Sequence, residues 1–104
     1  MILEIRQEAD GEIESSFLYY EAQTLGLGFQ FLAAIEESYR RILSNPKAWT
    51  VIEHGQPPLR RYLAKRFPYG LIYMLKGSKI IIVAVMHLSR KPWYWRKRYR
   101  SPEK

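Results

Sequence analysis

The chain contains no cysteine. That excludes a disulfide framework and any metal site built from thiolates. It also has no stretch near the roughly 18 consecutive apolar residues of a membrane-spanning helix. Its longest apolar run, Ile80 to Met86, suits a buried strand. The opening segment, MILEIRQEAD, carries acids early and lacks the pattern of a secretory signal, so cytoplasmic residence is expected. No internal repeat, low-complexity segment or second domain is visible. Acids are nearly absent from the second half: Glu103 is the single carboxylate side chain between Leu59 and Lys104.

What is present fits one domain spanning residues 1–104. Hydrophobic residues make up 47% of the chain, enough for a packed interior. The net charge of +7 is strongly polarised. Met1 to Pro57 holds nine acids against four bases, whereas Leu59 to Lys104 holds thirteen bases against one acid. Such a field suits a polyanion or an acidic protein partner. The plainer alternative is a solvated surface that happens to be basic.

Periodicity orders the elements. Ile2, Leu3 and Ile5 mark a short first strand within Met1 to Arg6, at a sheet edge. Ala9, Ile13, Phe17 and Tyr20 then recur at spacings of three and four, with acids on the first turns where they complement the helix dipole. Gly26 and Gly28 are expected to break this helix. A second helix follows from about Phe29 to Ser44, its stripe built on Phe31, Leu32, Ile35, Tyr39, Ile42 and Leu43. Asn45-Pro46 stops it. The short link predicts an antiparallel helical hairpin. Lys47 to Pro58, with Gly55 and Pro57-Pro58, reads as a loop. Three strands come next, Leu59 to Lys65, Tyr69 to Lys76 and Lys79 to Leu88, the last two joined at Gly77-Ser78. A basic aromatic tail closes the sequence as a short helix or an extended arm. The expected class is α+β: an N-terminal strand, an antiparallel helical hairpin, then a three-stranded antiparallel sheet with a short basic tail.

The strings RYLAKRFPYGLIY (Arg61 to Tyr73) and AVMHLSRKPWYWRKR (Ala84 to Arg98) resemble the C-terminal half of RelE/ParE-type toxins, also described as plasmid stabilisation proteins. Members of that family often read R-F-P-Y-x-I-x-Y, then A-V-x-H-x-x-R-x-P-x-Y-W. FLYYEAQTLGLGFQFLAAIEESYRRILSNP is similar to their helical segment. The resemblance covers residues 1 to about 98. It implies a toxin of a type II toxin–antitoxin module, bound in a heteromeric complex by a cognate antitoxin. RelE-like members cut messenger RNA on the ribosome, and ParE-like members poison DNA gyrase. The shared scaffold cannot choose between them. No cofactor, metal or membrane is implied.

Metal-independent RNA cleavage needs a base, an acid and a cation that holds the phosphate. His87, Arg61, Arg90 and Tyr94 are the candidates for such catalysis. Arg60, Arg66, Trp93, Trp95, Arg96 and Arg98 are candidates for holding nucleic acid or another target through charge and stacking. Each has a structural alternative. His87 continues the alternation of Ile81, Val83 and Val85 at the end of a buried strand. Arg61 alternates with Leu59 and Leu63. The tryptophans can close the core, and Lys97, Arg98 and Arg100 can form a basic arm. Phe17, Tyr19 and Tyr20 exceed what one buried stripe needs, which makes them candidate antitoxin contacts. Gly70 stands where nuclease members commonly carry an arginine, a departure that favours a ParE-like or diverged member, whereas the His87, Arg90 and Tyr94 set is of the kind that serves phosphodiester chemistry. The remaining alternative is a non-toxic nucleic-acid-binding domain.

Overall fold

The computed structural model describes residues 1–91 and 93–100, without the side chains of residues 99 and 100. Its elements are β1 (Ile2–Ile5), α1 (Gln7–Gln23), α2 (Leu27–Ser44), β2 (Thr50–Glu53), β3 (Leu59–Leu63), β4 (Tyr69–Lys76), β5 (Lys79–His87) and α3 (Arg96–Arg100). The α+β class and the helical hairpin are as expected, but the sheet is larger. It is five-stranded and mixed, in the order β1-β5-β4-β3-β2. β1 pairs parallel to β5 at one edge. β2 pairs antiparallel to β3 at the other. The segment read as a loop therefore contains a strand. Thr50, Val51 and Ile52 have the β-branched side chains that strands favour, in a run too short to stand out between its flanking turns. No helix among the described residues is long and apolar enough to cross a membrane.

Only one of the two expected helix-breaking glycines breaks a helix. Gly26 takes the left-handed conformation, φ 90°, and separates α1 from α2. Gly28 lies inside α2, where the lack of a side chain lets the helices meet. A Cβ there would lie 2.7 Å from both the Phe17 carbonyl oxygen and its ring. Glu21, near the end of α1, accepts hydrogen bonds from the Gly26 and Gly28 amides at 2.8 and 2.9 Å. A carboxylate thus satisfies the first free amides of α2 and complements its dipole.

The sheet is packed on both faces. On the helix side, Phe31 and Ile42 of α2 meet Leu71 and Tyr73 of β4 and Ile80 and Ile82 of β5. On the other face, Leu59, Ile72, Met74, Ile81 and Val83 are covered by Trp95 from the C-terminal segment. This explains why Ile80 to Met86 is apolar at every position.

One irregularity in β5 reorders its faces. Ile72 pairs with Ala84, but Tyr73 pairs with Ile82, so Val83 is an extra residue on β5. Such a bulge shifts side-chain alternation by one position. Ile81 and Val83 pack on the face away from the helices. Val85, two residues later, packs on the helix side. His87 follows Val85, opposite Tyr69 in the ladder.

The two helical glycines give opposite expectations. Gly11→Ala, with nothing within 4 Å of the new Cβ, should raise stability by about 0.5–1 kcal/mol through helix propensity. Gly28→Ala should lower it by about 1–3 kcal/mol, because the close contact outweighs propensity. Urea denaturation of both variants tests this; stabilisation by Gly28→Ala would contradict the close approach of the helices.

Candidate functional site

The bulge decides which candidates meet. Arg61 of β3 pairs with Ile72, so it faces the sheet side away from the helices. There it lines a cavity of about 160 Å³ with Ile52, Ile72, Met86, Trp93 and Trp95. His87 and Arg90 instead line a polar groove of about 400 Å³ against α1, with Tyr69, Ser16 and Glu12. The arrangement does not bring Arg61 together with His87 and Arg90.

His87 is tied into its own turn. Its Nδ1 accepts from the Ser89 amide at 3.0 Å and lies 2.7 Å from the Ser89 hydroxyl. Its ring stands edge-on to Tyr69, 5.1 Å between centroids. The Tyr69 hydroxyl in turn donates to Ser16 of α1 at 2.8 Å.

Glu12 organises the groove, although the sequence reading treated it only as a first-turn acid. β1 ends at Ile5, so the outer edge of β5 loses its neighbour beyond Ile82. Side chains take the strand's place. Glu12 accepts from the Val85 amide at 2.9 Å, and Arg98 donates to the Val83 carbonyl at 3.2 Å. The Arg98 guanidinium also grips both Glu12 oxygens at 3.1 Å. The Tyr94 hydroxyl donates to the same carboxylate at 2.5 Å. Arg90 stacks 3.7 Å over the Tyr94 ring, with a nitrogen 3.7 Å from Glu12. The available sequence signal was position: Glu12 follows Ala9 by three residues and precedes Ile13, so it lies on the buried stripe.

This network changes the standing of several candidates. Burial, then the Glu12 hydrogen bond and charge, push the Tyr94 phenol well above its usual range. It therefore holds its proton at neutral pH. Arg98 is half-buried and binds the sheet edge instead of forming a free arm. Trp95 is 2% exposed and its Nε1 contacts the Met86 sulfur at 3.3 Å, so it is core and offers no surface to a base. Trp93, 40% exposed, carries Arg96 over its ring at 4.6 Å. Arg96 also reaches Glu53 at 3.1 Å.

Arg60 donates to the carbonyls of Lys47 and Trp49 and anchors the approach to β2. Arg66 donates to Gln30 at 2.8 Å and lies at the surface. Phe17 and Tyr20 are half-buried in the hairpin, against Phe29 and Phe31 respectively. Tyr19 is 61% exposed, beside exposed Leu18 near the hairpin tip. The side chain of Arg100 lies outside the described residues.

A family model described as ParE toxin of type II toxin-antitoxin system, parDE, matches residues 3–92. The chain belongs to this family. Its fold is similar to that of a chain from the chromosomal ParDE TA system from P. aeruginosa, with a TM-score of 0.69. That match has 16% sequence identity and covers 86% of this chain and 97% of the other. No curated protein sequence matches. The ParE-family chain is thus a type II toxin, and Glu12 is where its helical half grips the basic C-terminal segment.

Two outcomes follow for this toxin. Glu12→Ala should cost about 2–4 kcal/mol, because it leaves a half-buried guanidinium and a strand amide unpaired. Hydrogen exchange at the Val85 amide should accelerate by more than tenfold relative to Leu71; equal protection would contradict the edge-capping role. Burial also raises the phenols of Tyr20 and Tyr73 to about 12, and that of Tyr39 higher still. Folded values above the unfolded value of about 10 favour the neutral phenols. Their stabilisation is full below about pH 10 and is lost as pH rises toward the folded values. Tyr94→Phe should reduce the slope of stability against pH by about one proton above pH 10, as read by denaturation across that range; an unchanged slope would contradict the buried neutral phenol.

Proposed function

We propose that this toxin arrests growth by binding DNA gyrase in the cytoplasm, without cutting RNA, and that a cognate antitoxin neutralises it in a heteromeric complex. One observation carries the reading. The groups that RNA cleavage would require are divided between the two faces of the sheet. Arg61 lies on one face, and His87 with Arg90 lies against α1 on the other. Arg61 and His87 line separate recesses, and Tyr94 is committed to Glu12. General acid–base catalysis needs its groups within about 3 Å of one reacting centre.

A binding toxin needs a rigid, charged surface instead. Glu12 and the cover of Trp95 hold the C-terminal segment against the sheet. That segment presents Trp93, Arg96 and exposed Lys97. Membership of the parDE family supports the gyrase reading over the ribosomal one. The expected acidic character of the antitoxin rests on charge complementarity with the basic half.

Purified toxin added to gyrase and relaxed plasmid should inhibit supercoiling and accumulate cleaved plasmid. His87→Ala should keep at least half of that inhibition. Messages from toxin-arrested cells should remain intact; ribosome-dependent truncation of messages that disappears in His87→Ala would replace this reading with a nuclease.

A further inference from the structure

Arg61 differs from every other arginine whose side chain is described. Arg6, Arg40, Arg41, Arg60, Arg66, Arg90, Arg96 and Arg98 each have a hydrogen-bond or ion-pair partner. Arg61 has none among the described residues: its Nε is buried without an acceptor, as are those of Arg60 and Arg96, but those two arginines are held through a terminal nitrogen and Arg61 is not. Burying a guanidinium nitrogen without an acceptor is costly, so the fold maintains an unmet demand at this point. Gly70 makes the arrangement feasible. A Cβ on Gly70 would lie 3.2 Å from the Arg61 Cδ, so the aliphatic stem of Arg61 occupies the space a side chain would fill. The departure from the nuclease pattern noted in the sequence is thus the floor on which Arg61 lies.

The surrounding cavity is apolar apart from this cation, with walls of Ile52, Ile72, Met86, Trp93 and Trp95. Its volume of about 160 Å³ is about five times a water molecule's share of the liquid. That is room for one side chain. We infer that this pocket anchors an acidic side chain flanked by an aliphatic residue, presented by an extended segment of a protein partner. Under the function proposed above, on which this identification of the partner rests, the segment belongs to the antitoxin. The planar fork of arginine binds a carboxylate through two hydrogen bonds, and the tryptophan and isoleucine walls accept the neighbouring aliphatic group. A nucleic-acid strand fits less well. It presents a row of phosphates, while the neighbouring cation, Arg96, is already paired with the Glu53 carboxylate.

The test is calorimetric titration of the full chain with three probes: a blocked heptapeptide alternating leucine and glutamate, its glutamine counterpart, and an octamer of uridylate RNA. The glutamate peptide should bind with one-to-one stoichiometry, and the glutamine peptide at least tenfold more weakly. Arg61→Gln should weaken the glutamate peptide tenfold or more. Arg61→Lys should weaken it severalfold, because the charge remains but the fork is lost. Gly70→Ala, which presses on the Arg61 stem, is the second variant and should give a loss in the same direction. Neither Arg61 variant should melt much below the native chain, since Arg61 has no partner to lose. Equal binding by Arg61→Gln, equal binding of the glutamine peptide, or tighter Arg61-dependent binding of the RNA would each overturn the assignment. The gyrase assay is separate. Peptide binding through Arg61 by a chain that leaves gyrase untouched keeps the pocket and removes the gyrase reading.

Discussion

An extra residue in one strand sets the functional geography of this toxin. Val83 bulges from β5 just where β1 turns away into α1. Two structural demands arise together at that place. The ladder must absorb an added residue, and the edge of β5 must find partners for its backbone groups in a partly buried setting. Glu12 and Arg98 meet the second demand with side chains, and Tyr94 and Arg90 gather on the same carboxylate. One end of the network lies on the acidic helical half and the other on the basic tail, so the charge polarity of the sequence is partly an internal fastening.

The consequence for function is a separation of surfaces. Beyond the bulge, β5 turns Val85 and His87 toward the helices, while Arg61 looks out from the opposite face. Side chains that would form one nuclease centre on an unbulged strand instead belong to two recesses. One is a polar groove lined by His87, Tyr69 and Glu12, each held by internal hydrogen bonds or ring contacts. The other is apolar, small and carries an unsatisfied guanidinium. The family membership identifies a toxin, and the proposal that it acts by recognition rests on this separation.

Much of the fold is legible in the residues. Pro46 ends α2, Gly77 turns β4 into β5, and the unbroken run from Ile80 to Met86 announces a strand covered on both faces. The same run hides the bulge. Alternation marks register only where apolar and polar positions differ, and here every position is apolar. The alternation read through Ile81, Val83, Val85 and His87 is therefore broken after Val83. β2 escaped notice because four residues among prolines and glycines carry little periodic signal. Gly28 looked like a breaker because propensity is local, whereas its use is a contact with Phe17 in another helix. Among the candidate residues, arginines and tryptophans were recognisable as a group. Their division into anchors such as Arg60, Arg98 and Trp95 and surface groups such as Trp93 depends on tertiary partners that composition does not encode.

The central claim is that Arg61 and His87 do not share a site. A double-mutant cycle of Arg61→Ala and His87→Ala, read as the dose needed for growth arrest, tests it most directly. Independent sites predict that the logarithms of the two single effects add, with a residual coupling below about 0.5 kcal/mol. Two members of one catalytic unit would give strong non-additivity, the double variant behaving like the worse single one. That result would contradict the account.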